Sequence, residues 1–190
     1  MFRKEYKMSK ITEEMYESFQ SGLEAVNGSC VRACKADLGK AVADIFLQAG
    51  IADTCIVETD LMKEAGVIDA LEAAGIKVYT DHIRKNAETV KGGVSEAQYG
   101  IASLGSLVQG RDNIDERLVA TMCEYYIGIV KGSTIVPEYD DMFDLICALP
   151  ELPNFVGFIT GPSRTADIEC VSTVGVHGPL CLAAVVVEDE

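Results

Sequence analysis

From Lys4 to Val26 the apolar residues Ile11, Met15, Phe19, Leu23 and Val26 recur every three or four positions, the spacing that lines one face of a helix. Asn27-Gly28 ends it, because both residues tolerate the left-handed conformation that closes helices, and a short strand is predicted over about Cys30 to Ala33. A repeating unit follows: helix from about Asp37 to Gln48, Gly50, strand Thr54 to Glu58, helix from about Asp60 to Ala74, Gly75, strand Ile76 to Tyr79. Each helix closes on a glycine before a β-branched run. Strands alternating with helices give right-handed βαβ units, so the fold class expected is α/β, a mostly parallel sheet with helices on both faces, preceded by an N-terminal helix over 1–26.

The centre breaks this rhythm. Gly92-Gly93-Val94, Ala97 to Ala102 and Leu104 to Val108 are rich in glycine and small residues, which permit sharp bends and close backbone approach, as at a ligand-facing sheet edge or a tight hairpin. A polar stretch, a helical turn and a strand over Tyr125 to Val130 come next; Pro137 then opens a helix to about Leu149, with Glu138, Asp140 and Asp141 in its first turns. Phe155 to Ile159 has the apolar character of a buried strand and runs into Thr160-Gly161-Pro162-Ser163-Arg164-Thr165. A second turn, Gly175-Val176-His177-Gly178-Pro179, precedes a last strand near Leu182 to Val187. No Gly-, Pro- or Ser-rich linker interrupts the chain, which is therefore expected to form one domain over 1–190.

Composition narrows the partners. A net charge of −14 repels phosphate backbones and anionic lipid, so neither nucleic acid nor a membrane is expected. No apolar run reaches the roughly 18 residues of a spanning helix. Seven cysteines, an odd number without C-x-x-C spacing or a signal peptide ahead of them, read as reduced thiols in a cytoplasmic protein. With only His82 and His177 beside them, no metal site and no cofactor is expected; a homo-oligomer is left open.

Three hydroxyls and one guanidinium between Thr160 and Thr165 suit a small anionic ligand: Ser163 and Thr165 can donate, Gly161 admits backbone amides, and Arg164 matches carboxylate or phosphate. The same residues also suit a capped turn, with Ser163 or Thr165 as N-cap and Asp167 and Glu169 as first-turn acids. His177, in a tight turn beside Gly178, can act as acid, base or donor to an anion, or simply bond to backbone. A Ser163, His177, Asp167 hydrolase is disfavoured, because the serine lies in T-G-P-S-R and not in a G-x-S-x-G elbow.

The string Phe158 to Glu169 followed by Gly175 to Pro179 resembles the C-terminal signature of the lactate-utilisation (LUD) domain family. Gly93-Val94-Ser95, Tyr99 to Ala102 and Gly105 to Val108 are similar to that family's other glycine-rich motif, and Ile135-Val136-Pro137 resembles its lead into a late helix. The resemblance implies a fold similar to the ribose-phosphate isomerase and CoA-transferase group, and a part in oxidising lactate to pyruvate beside iron-sulfur protein subunits. It also implies a site in which Ser163, Arg164 and Thr165 hold the anion with Thr160, Gly161, Asp167 and Glu169 around it, His177 and Gly178 reach it, and Gly105 and Ser106 form the opposite wall. Family members commonly carry an acid and two threonines where this chain reads Ala102-Ser103-Leu104-Gly105-Ser106, which puts catalysis in doubt more than binding. Two other readings stay open: an isomerase or transferase using Glu96, Asp167 or Glu169 on a phosphorylated sugar or acyl-CoA, and a non-catalytic interaction subunit.

Overall fold

The computed structural model describes residues 10–162, 164–165, 173–174 and 178–188. The chain begins with α1 (Glu13–Ala25), β1 (Ser29–Ala33), α2 (Leu38–Ala49), β2 (Asp53–Ile56), α3 (Asp60–Glu64), α4 (Val67–Ala73) and β3 (Lys77–Tyr79). It continues through α5 (Ile83–Asn86), β4 (Gly92–Ala97), β5 (Tyr99–Ile101), β6 (Ser106–Gln109), α6 (Ile114–Met122) and β7 (Tyr125–Lys131). Last come β8 (Ile135–Val136), α7 (Tyr139–Ala148), β9 (Gly157–Ile159), β10 (Arg164–Thr165), β11 (Thr173–Val174) and β12 (Cys181–Val187).

Local signals set most of these boundaries. The Thr12 hydroxyl accepts from the Met15 N–H at 3.2 Å, and Glu13 and Glu14 occupy the positive end of the α1 dipole. At the other end Asn27 takes φ +66°, and the Gly28 N–H donates to the Leu23 carbonyl at 2.9 Å. That is the left-handed closure expected of Asn27-Gly28. Gly50 closes α2 in the same way at φ +68°. The single helix expected over Asp60 to Ala74 is instead two, α3 and α4, because Gly66 enters the left-handed region at φ +61° and breaks the hydrogen-bond ladder.

Six strands form a wholly parallel sheet in the order β1-β12-β7-β4-β2-β3. Successive residues of a strand point to opposite faces, and both faces here are covered. On one, Leu38, Val42 and Phe46 of α2 and Val67 and Leu71 of α4 pack over Ile127, Ile129 and Val185. On the other, Phe19 and Leu23 of α1, Val119 of α6 and Leu107 of β6 pack with Tyr126, Val130 and Val186. The apolar runs of β7 and β12 follow from this two-sided burial.

Much of that second cover is itself a sheet, of order β8-β5-β6-β9. Strands β5 and β6 form an antiparallel hairpin closed by a 3-10 turn at Ala102–Leu104 and by Gly105 at φ +59°. Helix α1 lies directly on this turn. A Cβ on Gly22 would stand 2.5 Å from the Gly105 nitrogen, and one on Gly105 would stand 2.0 Å from the Leu23 nitrogen, so the two backbones meet with no side chain between them. Strand β9 pairs antiparallel with β6 at the end of the sheet order, and Phe158 is 36% exposed. The buried strand expected over Phe155 to Ile159 is therefore a shorter edge strand: its apolar residues reflect aromatic packing against α7 and not a central place in the parallel sheet.

Helix propensity alone makes alanine about 1 kcal/mol better than glycine at a helical position. The α1 crossing reverses that sign: Gly22→Ala is expected to lose about 1–2 kcal/mol net, because a backbone contact cannot be relieved by a rotamer change. Urea unfolding followed by far-ultraviolet circular dichroism measures this, and a stabilised variant would show that the crossing is not tight.

Candidate functional site

Ser106 opens β6, and Thr160 is the first residue past β9; the β6–β9 register, Leu107 opposite Ile159, sets them side by side. Their hydroxyl oxygens lie 2.8 Å apart, with Ser106 only 1% exposed. The central glycine-rich segment and the start of the C-terminal loops thus meet through a hydrogen bond between residues 54 apart in sequence. Gly161 continues at φ +153° against Val26, whose Cγ2 stands 2.7 Å from where a Cβ would be, and Pro162 is buried.

Other residues expected at this site are distributed unequally. The open side of Gly105 is filled by α1, so its closest neighbours are Gly22 and Leu23. Arg164 and Thr165 form β10, paired antiparallel with Thr173 and Val174 of β11. Gly178 is exposed, at φ +78° with open space around it. Ser163, Asp167, Glu169 and His177 lie outside the described residues. Thr160 follows β9 of the smaller sheet, whose partner β6 runs antiparallel to it, and not a strand of the parallel sheet. Gly161 contacts Val26, just before β1 begins, so the loop starts near the amino end of β1 and away from the carboxyl edge where parallel sheets usually hold ligands.

A second polar group is absent from the sequence expectation apart from Glu96. Ser95 on β4, Gln109 on β6 and Tyr126 on β7 are all buried. The Ser95 and Tyr126 hydroxyls are 2.9 Å apart, and the Gln109 side-chain amide donates to both, at 3.0 and 3.3 Å. Burial pushes the Tyr126 phenol well above its ordinary range, so it stays neutral. Beside this triad stand Glu96, 7% exposed, and Glu116 in the first turn of α6, 3% exposed. The Arg111 guanidinium reaches Glu116 at 3.4 Å, and the Gln98 side-chain oxygen Oε1 accepts from the Gly110 N–H at 2.7 Å. Burial raises the Glu116 carboxyl above its ordinary value; Arg111 opposes the shift and the Glu96 carboxylate adds to it. The one signal in the sequence was the presence of polar residues, Ser95 with Glu96 and Gln109, beside the apolar residues of these short strands. Among the described residues no group of three or more His, Cys, Asp or Glu side chains is placed to hold a metal ion, and no helix is long and apolar enough to cross a membrane.

The model of the LUD domain matches residues 16–187, which takes in both sheets and the C-terminal loops. The chain belongs to the LUD domain family. Within the family it is 33% identical over 170 residues to lactate utilization protein C of Halalkalibacterium halodurans, covering 84% of this chain and 74% of that one. It is 28% identical over 193 residues to lactate utilization protein C 1 of Bacillus mycoides, covering 94% and 81%. The fold is shared with the crystal structure of a DUF162 family protein from Deinococcus radiodurans, with a TM-score of 0.62 at 18% identity over 92% of this chain and 96% of that one.

Glu116 gives the LUD fold a pH signature. Below roughly pH 4.3, the unperturbed glutamate value, the group is neutral folded and unfolded and has no effect. As pH rises above that value the unfolded chain ionises first, so stability falls until the pH has passed the raised folded value. Glu116→Gln should remove this contribution, and its stability relative to the parent should climb as pH rises above about 4, the unperturbed glutamate range. Parallel curves of urea midpoint against pH would contradict the assignment.

Proposed function

We propose that this LUD domain protein is a component of a system that oxidises lactate to pyruvate, working in the cytoplasm beside iron-sulfur protein subunits and binding a small carboxylate or phosphate-bearing ligand at its C-terminal loops. The names of the related lactate utilization proteins C support the first part. The observation that carries the second is the Ser106–Thr160 hydrogen bond. It ties the central motif to the segment bearing Gly161, Ser163, Arg164 and Thr165, so that hydroxyls and a guanidinium from distant parts of the sequence can act on one ligand. Asp167, Glu169, His177 and Gly178 complete the ligand shell in this reading.

Binding, more than turnover, is the role favoured for this chain. Where family members commonly carry an acid and a threonine, Ser103 and Leu104 lie in the 3-10 turn under α1, the Ser103 N–H donating to the Pro137 carbonyl at 3.0 Å and Leu104 exposed. Calorimetric titration with lactate, pyruvate and inorganic phosphate tests the site. Arg164→Ala, and Ser106→Ala combined with Thr160→Val, should each weaken the bound ligand about tenfold while the circular dichroism stays unchanged. Unaltered affinity in both variants would rule out the loops as the binding site.

A further inference from the structure

The parallel sheet has edge strands β1 and β3, and they are guarded differently. Strand β3 spans three residues, with the Lys77 ammonium over the Tyr79 ring, a short charged edge of the kind that discourages pairing. Strand β1 spans five residues, and its one charge is held within the chain, the Arg32 guanidinium meeting Glu13 at 2.6 Å and Glu188 at 2.7 Å. The Ala33 carbonyl accepts from the Glu188 N–H at 3.0 Å, so Ala33 turns its main chain towards β12. Successive residues of a strand turn their N–H and C=O groups to opposite sides, which leaves those of Cys30 and Arg32 on the outer edge. Among the described residues no strand pairs with that edge. A groove of about 630 Å³ runs between β1 and one face of α2, along which Lys40, Ala41, Asp44, Ile45 and Gln48 recur every three or four positions.

We propose that a second copy of this chain occupies this groove, its β1 pairing antiparallel with β1 here about a two-fold axis at Val31. Cys30 then exchanges both main-chain hydrogen bonds with the partner's Arg32, and Arg32 with the partner's Cys30. Helix α2 obeys the same symmetry. Val31 lies about 7 Å back from the end of β1 at Ala33. The midpoint between Lys40 and Asp44 lies about 6 Å into α2, which starts at that end of β1 and runs back along the sheet. The two points are level, so an axis through Val31 sets Lys40 opposite the partner's Asp44 and Asp44 opposite the partner's Lys40. Within one chain these two side chains, 75% and 45% exposed, pair with each other along the helix. A two-fold interface needs a surface that complements itself, and a cation and an anion placed evenly about the axis supply that. Self-complementarity is what selects a second copy over an unrelated partner strand.

Sedimentation velocity of the full chain tests this. The parent should sediment as a species of twice the 20.4 kDa chain mass at about 10 µM. Lys40→Glu and Asp44→Lys each turn opposite-charge contacts across the axis into like-charge ones and should weaken the dimer about tenfold. Both side chains are exposed, so the circular dichroism should stay as in the parent. Combining the two reversals in one chain puts opposite charges back across the axis and should restore the dimer. Mixing Lys40→Glu chains with Asp44→Lys chains should restore it too, since each variant complements the other and not itself. Mixing cannot repair a pair lost within one helix, so this arm separates an interface from a change in stability. No ligand enters any arm, and the outcome is independent of the loop site. The inference is overturned by a parent chain that stays monomeric up to about 100 µM, by single reversals that leave the dimer as tight as the parent's, or by mixtures no tighter than either variant alone.

Discussion

The triad of Tyr126, Ser95 and Gln109 is the contact on which the rest of the arrangement depends. Three polar groups sit between the parallel sheet and the smaller sheet, where any one alone would be destabilising, and each satisfies the others. Ser95 and Tyr126 belong to neighbouring parallel strands, whereas Gln109 ends β6 of the smaller sheet. An apolar interface can slide; a hydrogen-bonded triad with one satisfying geometry cannot. The smaller sheet is thereby held in one register on the larger.

Both polar regions follow from that register. One end of β6 places Ser106 against Thr160 at the mouth of the C-terminal loops, and the other leads through Gln109 and Gly110 to Arg111 and the buried Glu116. Leu107, between them, packs deeply enough that a Cβ on Gly128 would stand 2.2 Å from its Cδ1. The strand carries apolar cover in its middle and polar chemistry at both ends, so a shift of one residue would bury the wrong groups.

Helix α1 locks the hairpin from outside. Gly22 and Gly105 let two backbones touch, and Gly105 also supplies the positive φ that ends the 3-10 turn. The glycine of the central motif therefore has a packing reason to be there, independent of any ligand. Ser103 and Leu104 lie in this same turn, at a packed corner rather than at the Ser106–Thr160 junction itself.

The parallel α/β layer was legible because its evidence is local. Helix periodicity in α1 and α2, closure at Asn27 and Gly50, and uninterrupted apolar runs in β7 and β12 are consequences of burial that leave a mark on neighbouring residues. The C-terminal and central motifs could be tied to the LUD family from their residues alone. Of the second sheet only a tight hairpin at the glycine-rich centre was legible: strands of two to four residues carry almost no periodic signal, and β9 resembled a core strand although its one aromatic residue, Phe158, packs on α7. Nor could the sequence show that Ser95, Gln109 and Tyr126 meet, that Glu116 lies buried beside Arg111, or that Ser106 touches Thr160. Those pairings join residues 5 to 54 positions apart through strand register and sheet stacking, and only the folded chain sets the distances over which hydrogen bonds act. The sequence by itself determined the layer, its helices and its family; tertiary structure alone decided which polar groups share a site, because register is a property of paired strands and not of either strand by itself.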